Sequence, residues 1–251
     1  MLQRYFLWCS FNGASFYGWQ RQPQQYTVQQ CLEEHFSVVL RQKISLVGAG
    51  RTDTGVHAKN FAAHLQMDLN GWNPKELVHR MNRFLPQAIV IHDIIPVNKQ
   101  AHARFDAISR TYHYYIALEK DPFADHLSYY FHGKPQIAEM NKACRFITGM
   151  HDFTSFSKTG MDVKTFNCYV KEAVWFRKAH FLVFRITADR FLRNMVRSIT
   201  GTLLDAGRGY ISAQDILTVL ESRDRQRAGN SLPAKGLFFT GVKYPPEIFV
   251  R

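Results

Sequence analysis

The sequence predicts an α+β fold built in two halves. Three observations carry this expectation. Some stretches alternate apolar and polar residues with the period of two that marks half-buried strands, most clearly Phe61 to Met67 and Ser109 to Leu118. Other stretches open on helix-capping sequences, at Thr27, Asn73 and Ser212. These elements do not follow the regular strand–helix alternation of a parallel βαβ sheet. A break at His102-Ala103-Arg104-Phe105-Asp106 divides the chain into residues 1–103 and 104–251.

In chain order, Arg4 to Phe11 is an aromatic-rich strand that ends at Asn12-Gly13. Phe16-Tyr17-Gly18-Trp19-Gln20-Arg21-Gln22 is a loop. Its aromatic and basic side chains suit stacking on nucleic-acid bases, and equally suit a plug over the core. Thr27 caps a helix to about Gln42, with Val28, Cys31, Leu32, His35, Phe36 and Val39 on its buried side. Lys43 to Val47 is a short strand. Asn73-Pro74-Lys75-Glu76 opens a second helix that ends near Pro86, and Ile89 to Val97 is a strand.

The second half opens with Ser109 to Leu118, where Arg110, Tyr112, Tyr114 and Ile116 share one face. A helix from Ile137 to Ile147 and a loop from His151 to Thr165 precede an antiparallel pair, Cys168 to Arg177 and Phe181 to Ala188. Phe191 to Asp205 is expected as an amphipathic helix with Arg190, Arg193 and Arg197 in one stripe. Solvated charge is the default reading of such a stripe, and three arginines without an acid raise the weight of an anion-binding face. A last helix runs from Ser212 to near Ser222, and Gly236 to Tyr244 closes the chain as a strand.

The composition, 46% hydrophobic and 21% charged over 251 residues, is that of an ordinary globular protein with ample core. The longest apolar runs fall short of a membrane span and no charged-then-apolar leader opens the chain, so a cytoplasmic protein is expected. Cys9, Cys31, Cys144 and Cys168 lack CxxC spacing and read as reduced core residues. His57 and His64 lack a convergent third ligand, and no metal is expected. With 32 Lys and Arg against 20 Asp and Glu, the formal charge is +12, and nucleic acid is the commonest acidic partner for such a chain.

The most informative stretch is Val47 to Ala58, where Gly48, Gly50 and Gly55 bracket Arg51 and Asp53 between two strands. A carboxylate in a tight loop held by sheet at both ends is how a scaffold presents a catalytic acid. On residue chemistry alone, an Asp that caps its own turn explains the loop as well. Phosphate cradling is the weaker reading, since Gly48-Ala49-Gly50 lacks a third glycine and no Gly-Lys-Ser/Thr follows.

The string Gly50-Arg51-Thr52-Asp53-Thr54-Gly55-Val56-His57-Ala58 resembles the signature of the tRNA pseudouridine synthase A family, with Thr54 where alanine is common. Tyr17 to Gln22, Ser109 to Tyr115, His151 to Phe156, Phe191 to Arg197 and Pro233 to Leu237 resemble further family segments in the family's order. The resemblance implies two α+β halves whose antiparallel sheets join into one platform with a basic cleft between them. It implies an isomerase that cleaves the N-glycosidic bond of a tRNA uridine, turns the base and rejoins it through carbon, at positions 38 to 40 of the anticodon arm. It also implies a homodimer, with no cofactor, metal or energy source.

By the same resemblance Asp53 is the essential carboxylate, either attacking the nucleotide or removing a ribose proton. Arg197 is its expected ion-pair partner, because a nearby cation favours the ionised form. Arg51 fills the space of the extruded base or binds a phosphate, and Tyr112 stacks on the flipped uracil. Arg110, Arg190 and Arg193 hold RNA, and Leu237 lines the uracil pocket. Taken singly, Tyr112 reads as a half-buried strand aromatic and Arg197 as a structural ion-pair partner. Two other classes fit the charge: a non-catalytic tRNA-binding or folding protein, which has no need of Asp53, and a metal-dependent nuclease, which needs clustered carboxylates.

Overall fold

The computed structural model describes residues 2–160 and 163–250. The chain forms two compact units, Met1–Ile108 together with Phe239–Arg251, and Ser109–Phe238. Each is α+β.

In the first unit, β1 (Gln3–Phe11) is central. After α1 (Val28–Leu40) and β2 (Leu46–Gly48) come β3 (His57–Met67), α2 (Pro74–Phe84) and β4 (Ile89–Pro96). Both β3 and β4 pair antiparallel with β1, Tyr5 lying opposite Leu65 on one side and Pro96 on the other. The short β2 runs along the far side of β3, Val47 opposite His64.

Thr27 caps α1 by accepting from Gln30 N at 3.3 Å, but the Gln30 amide turns to Glu34 and the reciprocal half of the capping box is not made. Val28, Cys31, Leu32 and Phe36 are buried as expected, while His35 and Val39 are only half-buried. Two polar residues one turn apart, Gln29 and Glu33, are buried on α1. Asn73 and Glu76 complete a capping box on α2, whose Leu77 and Met81 are buried. Asn82 ties that helix to β4, giving its amide to Ile91 O and accepting from Ile91 N.

The second unit is built on β5 (Ser109–Ala117). Then follow β6 (Tyr129–Tyr130), α3 (Ile137–Ile147), β7 (Gly149–Asp152), β8 (Asn167–Lys178) and β9 (Phe181–Ala188). Strands β5, β9, β8 and β7 lie side by side, antiparallel, and β6 adds a parallel pairing to β5. β7 corrects the expected loop: His151 and Asp152 are already paired, opposite Cys168 and Asn167. Met161 and Asp162 of that loop lie outside the described residues.

Two helices complete the unit, α4 (Met195–Gly207) and α5 (Asp215–Ser222). Ser212 and Asp215 exchange the hydrogen bonds of a capping box at the head of α5. α4 departs from its expected span. Asn194 takes a left-handed conformation, φ 68°, so the helix cannot begin before it. The three-arginine stripe is therefore not a helix stripe: Arg190 precedes the helix in extended chain, Arg193 sits in the turn, and Arg197 alone is helical. Nor has α4 a wide polar face, since eleven of its residues are buried, small Ser, Thr and Gly among them.

β10 (Leu237–Lys243) carries the chain from Phe238 back into the first unit. There Phe239 packs edge-on against Phe61 at 5.0 Å, and Phe6 against Tyr244 at 4.9 Å. Val97 and Ile248 complete a small apolar cluster around Phe6. All four cysteines are free and buried, and burial pushes the Cys9, Cys144 and Cys168 thiols up to about 12. No helix among the described residues is long and apolar enough to cross a membrane.

Candidate active site

In the first unit the loop between β2 and β3 presents Asp53 half-buried and Arg51 exposed. Backbone holds it. Trp19 N donates to Thr52 O at 3.2 Å, Val56 N to Asp53 O at 3.1 Å, and Ala49 N to Ala62 O at 2.8 Å. Gly55, at φ 77°, makes the turn behind Asp53.

Two glycines from the preceding segment press on this loop. Gly18, at φ 82°, lies so close that a β-carbon there would stand 2.4 Å from Thr52 O. A β-carbon on Gly13 would stand 2.1 Å from Val56 O. Gly13 N donates to His57 Nδ1 at 3.1 Å, which fixes the buried ring just after the loop. A side chain at either glycine would push the loop out of place.

The Phe16 to Gln22 segment is held in turn by α1, since Val28 N donates to Gly18 O and Gln29 N to Trp19 O. The buried Gln29–Glu33 pair clamps both flanks. Gln29 takes Arg21 N at 3.0 Å and gives its amide to Leu46 O, while Glu33 takes Leu46 N at 2.9 Å and Arg21 Nη1 at 3.1 Å. Phe16 and Trp19 are core plugs, at 4% and 1% exposure, whereas Tyr17 and Tyr26 face solvent.

The remaining expected residues all lie in the second unit. On β5, Arg110 and Tyr112 are buried, and the Tyr112 ring meets Phe191 edge-on at 5.0 Å. Arg110 Nη1 donates to Asp189 O at 2.6 Å, in the turn that also holds Arg190 N on the Asp189 carboxylate. Half-buried Arg197 gives Nε to Leu232 O at 2.7 Å and accepts from Leu232 N at its own carbonyl. Asn194 donates to Ser231 Oγ, and Gly229 N to Thr202 Oγ1. Residues 229 to 232 are thus laid along α4, and Gly201 is bare because a β-carbon would strike Asn230 O.

The same segment reaches β5 through Tyr114, whose hydroxyl donates to Pro233 O at 2.7 Å and whose ring leaves no room for a side chain at Gly236. Burial pushes the Tyr114 phenol far up, and the Arg197 charge opposes that only in part. Leu237 follows, buried. Tyr112 and Arg110 thus meet the Asp189–Phe191 turn and Arg197 the Leu232 segment, while Arg190 is half-buried, Arg193 exposed and Leu237 buried. His57 and His64 each accept a backbone N–H, His64 from Ala103 at 3.0 Å. The sequence reading missed Gly13, Gly18, Gln29 and Glu33; polar Gln29 and Glu33 one turn apart among apolar α1 positions were the available signal.

The first unit thus presents a half-buried carboxylate on a backbone-locked loop, with an exposed arginine two residues away. The family model for tRNA pseudouridine synthase matches residues 9–106 and 143–245, and the chain belongs to that family. The tRNA pseudouridine synthase A of Parabacteroides distasonis is 46% identical over 248 residues, covering 99% of this chain and 98% of that protein. That of Porphyromonas gingivalis is 47% identical over 254 residues, covering 99% and 100%. The Treponema denticola protein of the same name is 37% identical, covering 95% and 92%.

Proposed function

We propose that this chain converts uridine to pseudouridine in the anticodon arm of tRNA, at positions 38 to 40, with Asp53 as the essential carboxylate. The observation that carries the proposal is the Asp53 loop, locked by Gly13 and Gly18 against its own backbone, within a chain similar to tRNA pseudouridine synthases along nearly its whole length.

The roles follow from chemistry and geometry. Asp53, ionised, either attacks the nucleotide or takes a ribose proton; both routes need a charged carboxylate that does not wander. Arg51, exposed beside it, takes the place of the extruded base or a phosphate. Tyr112 stacks on the uracil and Leu237 lines its pocket. Arg110, Arg190, Arg193 and Arg197 meet the RNA and the reacting nucleotide. The chain needs no cofactor, works as a homodimer on one tRNA, and resides with its substrate in the cytoplasm. Residues 1–103 supply the acid, and 104–251 the Arg-x-Tyr strand and the remaining arginines.

The test uses unmodified tRNA tritiated at uridine C5, with metal removed by chelator. C5 must lose its hydrogen to become the glycosidic carbon, so the intact protein releases tritium and Asp53→Asn does not. Binding without release by either protein would replace this reading with that of a tRNA-binding protein.

A further inference from the structure

A second feature of the first unit lies outside the Asp53 loop. The outward side of α2 carries Lys75, His79, Arg80 and Arg83, all exposed, and with Trp72 and Glu76 they line a groove of about 500 Å³. The only acid in the groove, Glu76, has its carboxylate on Asn73 N in the capping box, at the end of the helix where backbone N–H groups favour negative charge. Among the described residues no carboxylate pairs with Lys75, Arg80 or Arg83.

The face is rigidly mounted. Leu77 and Met81 are buried beneath it, and Asn82 bolts the helix to β4 through two hydrogen bonds with Ile91. Trp72 is fixed at the head of α2 by a turn, Trp72 N on Leu69 O, in which Asn70 at φ 48° gives its amide to Leu40 O. Lys75, His79 and Arg83 stand four residues apart, so successive side chains rise about 6 Å along one line. Lys75, Arg80 and Arg83, spread over about two turns of one helix, suit a row of fixed anions better than one small ion. A solvated surface helix ordinarily intersperses acids with its bases; here the one acid lining the groove, Glu76, is engaged in the capping box.

We propose that this α2 face binds the phosphate backbone of the tRNA substrate, Lys75, Arg80 and Arg83 each neutralising phosphate and Trp72 walling the groove. The proposal rests on the tRNA reading above and adds a contact surface beyond the Asp53 loop and the arginines of the second unit. Phosphate contacts of this kind fix position and release counterions, so their signature is the dependence of affinity on salt.

The experiment compares the full chain with two triple variants of equal charge loss. One is Lys75→Gln, Arg80→Gln, Arg83→Gln; the other removes scattered exposed cations, Lys99→Gln, Lys134→Gln, Lys178→Gln. Unmodified tRNA is titrated across a salt series, and thermal melting checks that each variant is folded. The α2 variant is expected to bind at least about 10-fold more weakly at low salt, with the slope of log affinity on log salt reduced by about 2 to 3. The scattered variant should lose no more than about 3-fold. If the folded α2 variant loses no more affinity or slope than the scattered one, the proposal is overturned. Binding is read without catalysis, so a wild-type protein that releases no tritium yet shows the α2 effect would remove the catalytic reading and keep this one.

Discussion

The Asp53 loop and the α4 region are held in place by opposite means. Around Asp53, backbone rests on backbone: Gly13 and Gly18 touch the loop because they have no side chains, and N–H groups from the Trp19 segment and from within the loop secure its carbonyls. Around α4, side chains reach for carbonyls, as Arg197 does to Leu232 O, Tyr114 to Pro233 O and Arg110 to Asp189 O. A backbone-locked loop tolerates no added atom where another backbone touches it, as at Gly13 and Gly18. A side-chain network tolerates small shifts but depends on the chemistry of each donor.

The largest effect expected from this contrast is at the displayed group itself. Asp53→Asn should lower the single-turnover rate by at least about 10³-fold and leave the melting temperature nearly unchanged, because half-buried Asp53 is carried by its backbone. A large loss of stability would mean that the carboxylate helps to hold the loop.

Next is Gly18→Ala. The positive φ and the 2.4 Å approach to Thr52 O leave no room for a methyl group, so stability should fall by about 2–3 kcal/mol and the rate by about 10²-fold as Asp53 moves. Gly50→Ala is the comparator in the same loop. Gly50 meets nothing within 4 Å and needs no positive φ, so alanine there should change stability by less than about 1 kcal/mol, in the stabilising direction. Equal losses at both glycines, read by denaturant melts, would sink the backbone-contact account.

In the side-chain network, Arg197→Lys keeps the charge but cannot reproduce the Nε donation to Leu232 O. About 1 kcal/mol of stability should be lost, visible as a melting shift of roughly 2–4 °C. No shift would show that Leu232 needs no such donor.

The smallest effect is one of pH. Burial, with help from His102 and Arg4, lowers His64 from its ordinary value to about 4. The unfolded chain therefore takes up this proton first as pH falls below about 6.5, and stability present above that pH drains away towards pH 4. By about pH 6 the loss should already be on the order of 1 kcal/mol. His64→Gln should flatten that part of the stability–pH curve, and an unchanged curve would assign the dependence to other groups.

The elements were largely legible in the sequence, since α1, α2 and α5 announce themselves through Thr27, Asn73 and Ser212, and β3 and β5 through alternation. Asp53, Arg51, Tyr112 and Leu237 were legible only through a resemblance, because a carboxylate near glycines is locally indistinguishable from a capped turn. What escaped was non-local. Nothing in Phe191-Leu192-Arg193-Asn194 marks Asn194 as left-handed; helical periodicity ran through it until the tie to Ser231, 37 residues away, set the helix start. Nothing local in the Phe16 to Gln22 loop shows that Gly18 is bare to fit Thr52, 34 positions on. Nor does anything local point Glu33 to its partners, Leu46 N and Arg21.

The path of the chain has a consequence for synthesis on the ribosome. The second unit is one uninterrupted segment, Ser109–Phe238, with every residue it needs translated in sequence. The first unit is finished only when Phe239–Arg251 returns to it: Asn98 gives its amide to Glu247 O, and Phe6 waits for Tyr244 and Phe249. As the chain emerges, the segment made second is therefore the first able to complete its own core. The segment that bears Asp53 must stay incomplete, Phe6 and Trp8 of β1 lacking their C-terminal partners, until translation has passed residue 249.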